Sequence, residues 1–164
     1  MTGDRTELAA KVLTVSTSVA AGRAEDRGGV ALRALLEDAG FTIVDQALSP
    51  DGIEPVADSL RRLVAGFHGL VVTTGGTGFS PSDLTPEATR LVLEREAPGL
   101  AEAMRTASPL GRLSRQIAGT VGRALVLNTP GSPSGARECL GAVIDVLPHA
   151  LELLAGSNPH PHAH

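Results

Sequence analysis

Residues 70–87 constrain this chain more than any other stretch. Leu70-Val71-Val72 reads as a short strand buried on both faces. Behind it Gly75, Gly76 and Gly78 strip side chains from the turn, so a ligand can approach the main-chain N–H groups closely. Thr85 and Pro86 then read as the cap and first residue of a new helix, with Glu87 favouring the positive end of its dipole. A strand, a glycine turn, the carboxylate of Asp83 and a helix start together make a phosphate site of the α/β kind. The two commonest phosphate loops are excluded. The turn lacks a Gly-Lys-Ser/Thr ending, and Pro81 stands where the third glycine of G-x-G-x-x-G would fall.

The rest of the chain repeats the alternation. Strand-like runs at 10–16, 41–44 and 124–128 join the one at 70–74. Asp26 is placed to cap a helix carrying Leu32, Leu35, Leu36 and Ala39, which Gly40 ends. Val56, Leu60, Leu63, Val64 and Phe67 trace a second helical stripe after a loop at 48–52. Further helices are expected from 85 to about 96, over 100–107, and at the end, where Leu140, Val143, Ile144, Leu147, Leu151 and Leu154 share a face. Pro148 should kink that last helix by removing one hydrogen bond. The pattern is weak between 113 and 122, as for a short strand or hairpin.

Alternating strands and helices predict a three-layer α/β/α sandwich with a mostly parallel sheet, and one domain over 8–156. Ligands of such sheets bind beyond the carboxyl ends of the strands. Ser16-Thr17-Ser18, Ser49-Pro50-Asp51, the glycine turn and Pro130-Gly131-Ser132-Pro133 should therefore meet at one edge. Residues 157–164, with histidines and prolines in alternation, read as a flexible polar tail.

Composition narrows the function. Apolar residues make up 42% of the chain, yet Phe41, Phe67 and Phe79 are its only aromatics, which suits an aliphatic core on a parallel sheet. Acidic residues outnumber basic ones 18 to 14, and there is no Tyr or Trp to stack bases, which argues against nucleic acid as a partner. One cysteine, Cys139, excludes an intramolecular disulfide and a cysteine-built zinc site. No apolar run approaches the roughly 18 residues of a membrane span, and residues 1–5 lead into no signal-type core, so a cytoplasmic protein without a membrane role is expected.

Asp51 and Asp83 are the carboxylates best placed for chemistry. Two acids beside a phosphate cradle suit Mg²⁺, which takes one or two carboxylates and completes its shell with water and phosphate oxygens. Each has a plainer reading too: Asp83 as a loop cap, Pro50-Asp51-Gly52 as a turn. Ser132-Pro133 opens the last helix as a second anion site or as an ordinary helix start. Asp26-Arg27 reads as a charge pair over the site or as a surface cap, and Arg115 as a phosphate ligand or a solvated side chain. Cys139 lies mid-helix without a histidine in register, and no serine sits in G-x-S-x-G. That leaves chemistry by positioning and charge neutralisation, as in phosphoryl or nucleotidyl transfer.

Several blocks in one order carry a family resemblance. They are residues 12–16, Glu25-Asp26-Arg27, the glycine turn with Ser82-Asp83-Leu84-Thr85-Pro86-Glu87, Pro98-Gly99, Met104-Arg105, Leu113-Ser114-Arg115-Gln116, Leu127-Asn128, Pro130-Gly131-Ser132-Pro133, Glu138-Cys139-Leu140 and residues 147–151. Together they resemble the MoaB/Mog family of molybdenum-cofactor biosynthesis proteins, which includes the molybdopterin adenylyltransferases and the N-terminal domain of gephyrin. The resemblance implies adenylylation of molybdopterin by Mg-ATP with release of pyrophosphate. It also implies assembly as a homo-oligomer, commonly a trimer, and a molybdenum-insertion enzyme as partner.

Carried over by position, Asp51 and Asp83 match the family's essential acids, thought to hold Mg²⁺ and the nucleotide phosphates. Thr74, Gly75, Gly76, Thr77 and Gly78 match its nucleotide-phosphate turn. Ser16, Ser18, Pro130, Gly131, Ser132 and Pro133 match the molybdopterin side. Thr17 stands where many members carry Asp, Gly28 where Ser is frequent, Gly52 where a polar residue is common, and Ser134 where Lys often occurs. The residues leave open a non-catalytic oligomer of the same fold that binds molybdopterin or a nucleotide, and a relative that cleaves sugars or nucleotides. Without Tyr or Trp, Phe79 and the glycine backbone are the candidate surfaces for a pterin ring.

Overall fold

Four parallel strands form the centre of the computed structural model, which describes residues 7–156. Residues 1–6 and the expected polar tail at 157–164 lie outside the described residues. The four are β1 (Ala9–Val15), β2 (Thr42–Ser49), β3 (Gly69–Thr74) and β6 (Ala124–Thr129). The short β5 (Ala118–Val121) and β4 (Arg95–Glu96) extend the sheet antiparallel, giving the order β2-β1-β3-β6-β5-β4. The weak stretch before Gly122 is thus one arm of a β5–β6 hairpin.

Period-two alternation sends neighbouring strand residues to opposite faces, and both faces are covered. Val12, Leu70, Val72, Leu125 and Leu127 pack under α2 (Arg27–Asp38), α5 (Pro98–Thr106), α6 (Pro133–Val143) and α7 (Leu147–Leu154), through Leu32, Leu36, Met104, Leu140 and Leu151. Leu13, Val15, Val71 and Val126 pack on the other side under α3 (Ile53–Val64) and α4 (Thr85–Val92), through Val56, Leu60, Leu63 and Ala88. This is the expected three-layer sandwich. Phe67 serves as a platform: the Lys11 ammonium lies 4.1 Å from its ring centroid and donates to the Leu63 carbonyl.

The chain passes from β1 through α2 to β2 on one side of the sheet, and from β2 through α3 to β3 on the other. The loops after β1 and β3 therefore diverge between neighbouring strands, which opens a crevice there. Register makes the crevice level. Thr14 pairs with Thr74 and Thr74 with Thr129, while Val15 pairs with Ser49. Four strands end in one row, with a short α1 (Thr17–Ala20) following the first.

Four expectations are corrected. β2 does not stop at Val44 but runs to Ser49, because pairing with the whole of β1 overrides its polar Asp45-Gln46. α4 ends at Val92 rather than near Glu96, since Arg95 and Glu96 pair with β5. The last helix is not kinked but split after Val143, and Pro148 sits in the first turn of α7, where its missing N–H has no partner to lose. Thr85 is no cap. It is the first residue of α4, and its hydroxyl donates back to the Gly75 carbonyl at 2.9 Å.

Asn128 ties the sheet to its layers. Fully buried, it donates to the hydroxyls of Thr73 and Thr89, each at 3.0 Å, and accepts from Ile117 N–H. Asn128→Ala should lower stability by about 1–3 kcal/mol through the polar groups it orphans. Urea unfolding should show this as an earlier midpoint with an unchanged slope.

Candidate functional site

The row of strand ends places four loops side by side, and short hydrogen bonds lace them together. Ser16 N–H donates to the Ser49 carbonyl, Gly75 N–H to Thr129, and the Thr74 hydroxyl to Pro130. Over this row lies a cleft with two lobes. The first, about 500 Å³, is lined by Ser16, Ser18, Asp26, Asp51, Thr74, Gly75 and Pro133 among others. The second, about 690 Å³, is lined by Thr77, Gly78, Pro130, Ser132 and Glu138 together with Leu110 and Leu113. Gly76, Asp83 and Gly131 face both. A hollow of about 750 Å³ beyond Ser108 and Pro109 holds none of the expected site residues.

Every residue matched above to catalysis, the phosphates or molybdopterin thus faces the cleft, and Asp51 and Asp83 line the same lobe. The six residues matched to the molybdopterin side do not keep together. Ser16, Ser18 and Pro133 line the first lobe, Pro130 and Ser132 the second, and Gly131 both. Phe79 lines neither lobe and is 68% exposed.

Glycine is required in the turn. Gly75 and Gly76 have φ of +103° and +70°, which L side chains rarely adopt, and a Cβ would strike the Val15 carbonyl or the Thr85 hydroxyl. Tight seating against β1 and α4 leaves the solvent side of the turn as bare backbone.

Each acid is held by one oxygen. Asp51 Oδ2 accepts from both the N–H and the hydroxyl of Thr17, at 3.1 and 3.0 Å, and the Asp51 N–H donates to that hydroxyl. Asp83 Oδ2 accepts from Ser80 N–H at 3.0 Å. Oδ1 of each receives no hydrogen bond from the described residues. Asp26 differs: its Oδ1 accepts from Thr14 and Gly29 while Oδ2 lies 3.8 Å from Arg33, so it caps α2 as expected. No group of three or more His, Cys, Asp or Glu among the described residues could hold a metal ion. A cation here would take an oxygen from Asp51 and Asp83 and the rest from phosphate and water, the donor set Mg²⁺ favours.

Arg115 resolves differently from either sequence reading. It is half-buried, lines neither lobe of the cleft, and clamps the turn from behind. Its backbone N–H donates to Thr77, Nε to the Gly78 carbonyl and Nη2 to the Asp83 carbonyl, while Nη1 binds Glu87 Oε1. Thr17 and Glu87, which hold Asp51 and Arg115, were also missed as site residues. These contacts join positions far apart in sequence, and no local spacing announces them. Cys139 borders the second lobe, but burial pushes its thiol up and it donates to the Met104 carbonyl, so it is no nucleophile at neutral pH.

The clamp has a pH signature. Hydrogen bonding to Arg115 holds the Glu87 carboxyl below its ordinary 4.5, against the opposing effect of burial. A depressed carboxyl stabilises the fold fully above the unfolded value and loses that contribution as pH falls through the folded one. Arg115→Met should therefore destabilise the protein more at neutral pH than in acid, and flatten the loss of stability below about pH 4.5. Urea unfolding across that range measures both effects.

Comparison with known proteins places this geometry. A family model described as a probable molybdopterin binding domain matches residues 11–149. A molybdopterin adenylyltransferase of Helicobacter pylori strain J99 is 36% identical over 153 residues, covering 89% of this chain and 87% of that protein. Gephyrin of Dictyostelium discoideum is 35% identical over 87% of this chain, which matches 22% of its length. Among solved structures, the molybdopterin biosynthesis enzyme MoaB of Thermus thermophilus superposes with a TM-score of 0.86 at 45% identity, over 92% of this chain and 98% of that one. The Mog protein of Mycobacterium ulcerans gives 0.84 at 39% identity, over 93% and 99%.

Proposed function

The chain belongs to the MoaB/Mog family of molybdenum-cofactor biosynthesis proteins, and from that premise we propose that it is a molybdopterin adenylyltransferase. It moves AMP from ATP to the terminal phosphate of molybdopterin and releases pyrophosphate. The observation that carries this reading is the joined pair of lobes. Two reactants can lie end to end, with their phosphates meeting where Gly76, Asp83 and Gly131 face both sides.

A phosphate oxygen of molybdopterin attacks the α-phosphorus of ATP. One P–O bond forms, and the bond to pyrophosphate breaks with its electron pair leaving on pyrophosphate. The nucleophile belongs to the substrate, in keeping with the absence of an activated Ser or Cys among the described residues facing the cleft. The N–H groups of residues 76–78 present fixed dipoles to the phosphates without reorganising during reaction, while that of Gly75 is held by the Thr129 carbonyl. Thr17 and Ser80 hold the two acids through Oδ2, which leaves Oδ1 of each without a hydrogen bond from the described residues. Asp51 and Asp83 would hold Mg²⁺, which when bound neutralises charge on the triphosphate.

Mg-ATP as donor, a homotrimer, a cytoplasmic setting and a single unit over 8–156 belong to the same proposal. No helix among the described residues is long and apolar enough to cross a membrane.

With Mg-ATP and molybdopterin, the protein should form pyrophosphate and adenylylated pterin in equal amounts. Asp83→Asn should cut the rate by about 100-fold or more, the scale of losing several kcal/mol of charge stabilisation. Tight binding of both ligands without product would instead establish a non-catalytic carrier.

A further inference from the structure

The second lobe has an electrostatic character of its own. No Lys or Arg lines it, so beyond the glycine turn and the start of α6 no side-chain cation draws a phosphate into it. Pro109, Leu110, Leu113 and Pro130 supply apolar surface, and the backbone of Gly78 and Gly131 supplies flat, uncluttered faces. Apart from Asp83, at the junction of the lobes, its one charged side chain among the described residues is Glu138.

The position of Glu138 follows from α6. Ser134, Gly135, Glu138 and Cys139 fall at i, i+3 and i+4 spacings, on a single face turned to the lobe. Helical side chains lean toward the N-terminus, which sends the Glu138 carboxylate back over the small Ser134 and Gly135. Glu138 lies six residues beyond the cap Ser132, about 9 Å along the axis at 1.5 Å per residue. It makes no hydrogen bond or ion pair with the described residues, so both of its oxygens are available.

We infer that Glu138 is the specificity residue for the pterin head, its two carboxylate oxygens accepting from the ring N3–H and the 2-amino group. This rests on the adenylyltransferase reading. A 2-amino-4-oxopyrimidine edge presents two parallel N–H donors, which a carboxylate accepts in the same fork geometry it uses for guanidinium. Adenine sets a donor beside an acceptor and fails that match. The negative charge also keeps phosphates at the glycine turn, which orients molybdopterin with its pterin outward along α6. The ring is then held by aliphatic and glycine surfaces, with Phe79 taking no part.

Glu138→Gln tests this, because glutamine keeps the shape but offers one acceptor and one donor. Free pterin and lumazine, in which an oxo group replaces the 2-amino group, serve as competitors against molybdopterin. Wild type should prefer pterin to lumazine at least tenfold. The variant should lose or reverse that preference, with KM for molybdopterin raised about tenfold and KM for ATP and the melting temperature unchanged. An unaltered pterin preference, or an unaltered KM for molybdopterin, overturns the inference while leaving the adenylyltransferase intact. A wild-type protein that forms no adenylylated product and binds no pterin overturns both.

Discussion

Everything at the catalytic edge depends on the in-register ending of parallel strands. Thr14, Thr74 and Thr129 stand in one line across β1, β3 and β6, and the residues after them have to turn away within a few ångströms of one another. The turn after β3 has the least room, being pressed between the Val15 carbonyl and the Thr85 hydroxyl. Side chains cannot be accommodated there, so what the turn shows the cleft is backbone. Threonines do the lacing because a short hydroxyl can bond a neighbouring strand's carbonyl while its methyl stays in the core, as Thr74 does to Pro130 and Thr129 to Thr73.

The site carries a deliberate imbalance of charge. Glu25, Asp26, Asp51 and Asp83 line the first lobe against a single cation, Arg27, itself paired with Glu25, and the guanidinium of Arg115 is committed behind the turn to Glu87 and two backbone carbonyls. Under the proposed function such a lobe would take a triphosphate together with a divalent ion rather than bare. Arg115 works through the shape of the turn rather than through its field.

How far this was legible in the sequence depended on the range of the interactions. β1, β3 and β6 could be read because strands buried on both faces are nearly continuous apolar runs, and the cap at Asp26 because it bonds three residues ahead. The length of β2 was hidden, since polar Asp45 and Gln46 interrupt its apolar run and only pairing with β1 makes them strand. Thr85 misled because its hydroxyl looks backward to Gly75, ten residues away, where a cap would look forward. Asp51 and Asp83 could be named from their loops. Thr17, which holds Asp51, and the clamp at Arg115 could not, because those contacts span 34 and 28 to 37 residues.

The aliphatic core has an optical corollary. With Phe41 buried, Phe67 beneath a lysine, Phe79 at the surface and no indole or phenol anywhere in the chain, the polypeptide is almost dark in the near ultraviolet. Whatever chromophore occupies the crevice, purine or pterin, contributes nearly all the absorbance and emission of the complex. The molecule is in that sense its own blank.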